Sequence, residues 1–265
     1  MTSASKLLSD LRRRQYHCDA NATVQAIRTV SESSFNAHRT CLLTFGSISN
    51  GGLISASDID LICVSSESHM EDRLSNLKQL ALQLGRSCHV HAFKINDNLT
   101  ASPPLLFALA TCQYAWGNRK FAIRLFREFD LLLSQLSSTR LLLYWDGDPY
   151  RHPGRHKSSN LKMAEGGLLD CCFRRLLVRW AHVNNVNLGT FAHFLIVCSS
   201  LLCRCLRALR AQAAPSLLRN GLEDRSSSLP AKLCIKTLLR LHSHVVRRLF
   251  WHFRRKEDSY PCPIL

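Results

Sequence analysis

Apolar and polar residues alternate in two different rhythms along this chain, and the change of rhythm divides it. From Val24 to His38 apolar positions recur at helical spacing and lead into the apolar run Cys41–Phe45. That run predicts a buried strand. Residues 46–57 (GSISNGGLISAS) hold three Gly and four Ser, a composition that turns the chain and exposes backbone N–H groups. Asp58–Val64 returns as a second strand. "MEDRLSNLKQLALQLG" then sets Leu74, Leu77, Ala81 and Leu84 on one helical face, and "RSCHVHAFKI" alternates as a third strand. Helices are predicted over Asn98–Trp116 and Phe121–Leu136, with Pro103 and Pro104 near the start of the first. Beyond a polar Gly/Pro stretch at 145–160, the helical rhythm covers 166–184, 189–212 and 230–255. The prediction is an α/β (α+β) domain with a small mixed sheet over 1–140, with N-terminal helices, followed by an all-α domain over 141–265.

Composition sharpens this picture in three places. The apolar run Leu188–Cys203 is interrupted by His193 and closed by Arg204, shorter than the ~20 residues of a membrane span, so it is read as a core helix. The N-terminus lacks the apolar stretch of a secretory signal, which predicts a cytoplasmic protein. Twelve cysteines in a chain of 265 residues do not make a small secreted framework. Cys41, Cys63, Cys172, Cys198 and Cys234 lie inside apolar runs, and the Cys171-Cys172 and Cys203-x-Cys205 spacings are not those of a zinc site, so the cysteines are read as structural thiols.

Charge is uneven. Residues 1–140 carry 15 Lys/Arg against 11 Asp/Glu, whereas 141–265 carry 20 against 8, within a net charge of +16. The second half therefore suits an acidic partner. Its arginines (Arg174, Arg175 and Arg179; Arg204, Arg207 and Arg210) recur at i, i+3 or i+4, the spacing of an exposed bundle face. Aromatics interleave with them only at Phe250, Trp251 and Phe253, so no specific nucleic-acid partner is expected. The terminal Cys262-Pro-Ile-Leu265 has the form of a prenylation signal behind basic residues, which implies a membrane partner only in a eukaryotic cell that prenylates Cys262.

The candidate chemistry lies in the second strand. Residues i and i+2 of a strand share a face, so Asp58 and Asp60 project together while Ile59 and Leu61 face the core. Two adjacent carboxylates repel unless a cation holds them, and a divalent metal is the usual cation. The Gly/Ser loop upstream offers N–H donors to a phosphate. Metal ligands beside a phosphate cradle describe nucleotidyl transfer.

The pattern G-S-x₁₀-D-x-D between apolar strands resembles the DNA polymerase β-like nucleotidyltransferase superfamily. "NLKMAEGGLLD" (160–170) resembles the D-I-K-x₃-G-G-L-R-D segment of PII uridylyltransferases, "LGRSCHV" (84–90) their V-G-H-S-V-R strand, and 97–118 the helices that follow. The four blocks occur in the family's order and cover roughly residues 25–255. The resemblance implies a transfer module with its helical companion, without the phosphohydrolase and sensing domains of full-length members. It implies Mg²⁺ (or Mn²⁺) on Asp58 and Asp60, which are the catalytic pair, and an NTP held by Gly46, Ser47, Gly51 and Lys162. UMP or AMP would pass to an acceptor, a protein hydroxyl. The site is expected between the two domains, with 160–170 on its rim. Departures from the family are Asn50 at the arginine of its phosphate loop, Gln79 and Gln83 at acidic positions, and Leu169 at an arginine. No third carboxylate occurs on the 86–95 strand, where His89 and His91 share a face. The alternative reading is a catalytically degenerate module that kept the fold and binds a nucleotide or an acidic protein.

Overall fold

A computed structural model describes residues 20–49, 57–67, 70–95, 97–141, 168–212 and 229–257. The chain divides into two units, Met1–Leu131 and Leu132–Leu265.

The first unit is built on a four-stranded mixed sheet in the order β3-β2-β1-β4. Its elements are α1 (Ala20–Ser34), β1 (Thr40–Thr44), a single helical turn α2 (Gly46–Ser49), β2 (Ile59–Ser65), α3 (Met70–Gln83), β3 (Cys88–Lys94), α4 (Pro103–Thr111), β4 (Gln113–Gly117) and the start of α5 (Arg119–Ser134). β1 pairs antiparallel with β2 and β4, and β2 pairs parallel with β3 through the crossover helix α3.

Alternation decides the faces of the sheet. Leu42, Ile59, Leu61 and Cys63 point to one side and close a core with Ile27 of α1 and Leu74, Leu77 and Ala81 of α3. Leu43 and Ile62 point to the other side and are also fully buried. A sheet covered on both faces explains why β1 and β2 read as continuous apolar runs. Arg28 of α1 donates from Nε to the carbonyl of Ala115 at 2.7 Å, tying the helix to the edge strand β4.

Two expectations need correction here. Residues 113–116 are expected at the end of a helix over Asn98–Trp116, yet with Gly117 they form β4, because α4 ends at Thr111 and Gln113-Tyr-Ala-Trp-Gly pairs with β1. A short apolar run with aromatic residues is ambiguous between helix and strand, and here the free edge of β1 decides it. The loop 46–57 also opens with the helical turn α2 rather than irregular chain.

The second unit contains α6 (Leu168–Val183), α7 (Gly189–Gln212) and α8 (Leu229–Glu257). Trp180 of α6 is buried and donates from Nε1 to the carbonyl of Leu136 at 2.6 Å. The reading of α7 as a core helix holds for one face only. Gly189–Leu206 has a mean hydropathy of 1.6 but is only 28% buried, and Phe191, Phe194, Val197 and Leu201 are exposed. Among the described residues it is the one helix long and apolar enough to cross a membrane by length and composition. The run Leu188–Cys203, interrupted by His193 and closed by Arg204, is short as an unbroken apolar stretch, but those two residues lower the mean hydropathy of Gly189–Leu206 little. The structural-thiol reading also fails at one pair: Cys171 of α6 and Cys203 of α7 form a disulfide. Their separation of 32 residues on different helices gives no spacing signature.

Candidate functional site

β1 delivers the chain to Gly46, which turns it with φ +65° into α2. β2 returns beside it, and the amide of Phe45 donates to the carbonyl of Asp60 at 3.0 Å. This hairpin-like closure presses the Asp60 side chain onto Gly46. A Cβ on Gly46 would stand 2.3 Å from Asp60 Oδ2, so only a residue without a side chain leaves room for the carboxylate. Gly46 and Asp60, assigned separately to phosphate and to metal in the sequence, thus lie side by side.

The turn is anchored on both sides. Thr44 Oγ1 and Ser49 Oγ lie 2.9 Å apart and are buried, and Gln113 of β4 donates from Nε2 to the carbonyl of Ser49 at 2.9 Å. Ser47, expected to contact phosphate, is 9% exposed. Gly51, Lys162, the prenylation-type Cys262 and the 160–167 part of the domain-linking segment lie outside the described residues.

Asp58 stands just before β2, on the same face as Asp60 by the two-residue period. The parallel register with β3 places His89 directly opposite Asp60 and His91 opposite Ile62. Both histidines therefore share the aspartates' face, as expected for the strand. His89 Nε2 lies 4.0 Å from Asp58 Oδ2, with the side chains 63% and 43% exposed. So open a pair contributes little to stability, and both groups remain accessible to a ligand.

Sequence reasoning missed Arg86. It is 7% exposed and donates from Nη1 to the carbonyl of Ser57 at 2.9 Å, while the amide of Ile59 donates to Ser87 at 2.8 Å. These bonds bracket Asp58 and fix where β2 begins. The signal available was a cation directly after the αL glycine that ends α3, but its partner is a backbone carbonyl, which no pattern encodes.

Burial and the neighbouring His89 hold the His91 imidazole below its ordinary pKa, burial being the larger cause. Its ring also lies against Phe45, with centroids 5.5 Å apart. The folded state thus favours neutral His91. Its stabilising contribution is complete above the unfolded value of about 6.5 and is lost as pH falls through the lower folded value. Urea unfolding between pH 7.5 and 5 should show a shallower acid loss for His91→Gln than for the wild type; equal slopes would exclude His91 as the source.

The thiols nearby are inert by environment. Burial pushes Cys41 up to about 12, and burial reinforced by Asp60 pushes Cys88 up to about 11. Cys63 is raised further by burial first. These three behave as small hydrophobes rather than nucleophiles, in keeping with the structural reading.

The donor set suits a hard cation in part. Asp58 and Asp60 supply carboxylate oxygens, but with His89 they do not form a close three-ligand cluster among the described residues. Mg²⁺ commonly takes one or two carboxylates and fills its remaining positions with phosphate oxygens and water, so an open carboxylate pair fits that mode of binding.

No protein-family model matches the chain, and no curated protein matches it. Among solved structures it is similar to one described as "Crystal structure of the toxin-antitoxin with AMP-PNP". The match has 18% sequence identity and a TM-score of 0.33, and it covers 49% of this chain and 98% of that one.

Proposed function

We propose that the first unit is a metal-dependent nucleotidyltransferase that moves a nucleoside monophosphate (UMP or AMP) from an NTP to a protein hydroxyl and releases pyrophosphate. The observation that carries this reading is the contact of the Asp60 carboxylate with Gly46. It sets an acidic pair and a Gly/Ser turn side by side, the two parts that triphosphate chemistry requires. Asp58 and Asp60 would hold Mg²⁺ or Mn²⁺, which supplies charge neutralisation along the triphosphate when bound. Gly46 and Ser47 let the nucleotide's phosphates approach the backbone, with Gly51 and Lys162 assigned to the same ligand. Arg86 positions Asp58 from behind. His89, exposed and across from Asp60, would take the acceptor hydroxyl's proton at Nε2.

The second reading is a non-catalytic module that binds a nucleotide or an acidic protein, favoured by the lack of a third carboxylate on β3. The two separate in one experiment. Purified chain is incubated with host lysate, each of four α-labelled NTPs, and Mg²⁺ or Mn²⁺. Transfer of label to protein is expected with one NTP, and the Asp58→Ala, Asp60→Ala double variant should lose it. Labelling that survives the double substitution sinks the mechanism. No labelling by wild type with any NTP favours the binding module.

A further inference from the structure

A second cluster of metal-ligating side chains lies wholly in the unit Leu132–Leu265 and does not depend on the nucleotidyltransferase reading. Cys171 of α6, Cys203 of α7 and His242 of α8 are 2%, 1% and 0% exposed. One ligand atom from each lies within 4.8 Å of both others, the only such group among the described residues. His242 Nε2 is 3.4 Å from Cys203 Sγ and 2.8 Å from Ser199 Oγ. Ser199 is itself fully buried and precedes Cys203 by one turn of α7, so both face α8.

An apolar interior would fill this junction with Leu or Val. Instead three helices each contribute a polarisable or polar group to one point, in a region that also buries Asp170 and Arg174. Arg174 crosses from α6 to α7, donating from Nη1 to the carbonyl of Ile196 at 3.1 Å and to Ser200 Oγ. Two sulfurs and an imidazole nitrogen are the donor set of a borderline-soft ion. In a tetrahedral zinc site with Zn–S of about 2.3 Å and Zn–N of about 2.0 Å, neighbouring S and N atoms stand roughly 3.5 Å apart. The Cys203–His242 distance already meets that edge. The two sulfurs must part to about 3.8 Å, and Ser199 Oγ must draw back from its 2.8 Å approach to Nε2.

We propose that Cys171, Cys203 and His242 form a zinc site in the reduced protein, and that their disulfide is the oxidised, metal-free state of the same site. A dithiol reductant, such as a thioredoxin-type protein or dithiothreitol, delivers two electrons and two protons to the disulfide and is itself oxidised to a disulfide. Zn²⁺ then displaces the two thiol protons and binds two thiolates and neutral His242 through Nε2, whose other nitrogen keeps its proton. Ser199 Oγ, or a water in its place, is the fourth donor. The ion would tie α6, α7 and α8 at one point, and oxidation would release it while leaving α6 joined to α7.

The test uses the full chain, stripped with a chelator and titrated with Co²⁺ as the spectroscopic probe. After reduction it should take up one equivalent with the thiolate charge-transfer band and intense visible bands of a tetrahedral site, and Zn²⁺ should displace it. Diamide-oxidised chain should show neither until dithiothreitol is added. His242→Gln should weaken the affinity by at least about tenfold, since even a ligand's supporting partner commands 10–100-fold. The Cys171→Ser, Cys203→Ser double variant should abolish the spectrum, whereas Cys172→Ser with Cys205→Ser should leave it intact. The proposal is overturned if reduced wild type binds no Co²⁺, if oxidised chain binds it equally, or if the spectrum survives loss of Cys171 and Cys203. Should a variant fail to fold, the comparison of reduced and oxidised wild type decides alone.

Discussion

Gly46→Ala is expected to lower NTP-dependent labelling by about 100-fold while leaving the protein folded. The new Cβ would meet Asp60 Oδ2 at 2.3 Å, whereas the next atoms, Asp60 Cγ and Cβ, stand at 3.2 and 3.5 Å. The obstacle is thus the far end of a rotatable side chain, and the collision is relieved by turning the carboxylate away. That movement displaces one of the two proposed metal ligands by about an ångström, a misplacement that commonly costs on the order of 10²-fold in rate. The backbone adds a separate term. An alanine held at φ +65° costs about 1–2 kcal/mol, which a domain of ordinary stability survives. The measurement is therefore a pair: labelling at saturating NTP, and urea unfolding of the same preparation. Unchanged labelling would show that the placement of Asp60 against Gly46 has no part in transfer.

The parts of that contact were legible in the sequence, but the contact itself was not. The two-residue period of β2 put Asp58 and Asp60 on one face, and the Gly/Ser composition placed a turn before them. What the pattern could not supply was the packing between turn and strand, because β1–β2 pairing sets it. The same limit explains the misses. β4 was hidden inside a helical expectation, since its five residues become a strand only by pairing with β1. Arg86 acts on a carbonyl, and backbone groups leave no trace in residue type. Apolar runs pointed to Cys172 and Cys198 as buried, yet these are half-buried and Cys171, Ser199, Cys203 and His242 are the enclosed ones, because the covered side of a helix depends on what packs against it. The period along an element is local information; the partner is not.

Gly117→Ala should have the opposite signature, a large loss of stability from a site remote in role from any chemistry. Gly117 ends β4 with φ +93°, and a Cβ there would lie 2.0 Å from the carbonyl oxygen of Thr40, 3.0 Å from its carbon and 3.2 Å from Cys41 Cα. All three atoms are backbone of β1, the central strand that carries pairing to both β2 and β4. No rotamer change relieves the contact. Either β4 moves away from β1 or the carbonyl of Thr40 turns, and that carbonyl already accepts the amide of Asn118 at 2.8 Å. The β1–β4 ladder is irregular between Leu42 and Leu43, so the close approach at Gly117 sets the register from which β4 runs. Strain at a disallowed φ costs about 1–3 kcal/mol, and a lost ladder bond adds about 1 kcal/mol. A total near 3 kcal/mol or more is a large share of the 5–15 kcal/mol that holds a domain together. Urea unfolding followed by tryptophan fluorescence would report it directly, since Trp116 is buried beside Gly117. A midpoint within error of wild type would mean that β4 yields freely at this end, and that the pairing there does not hold the edge of the sheet.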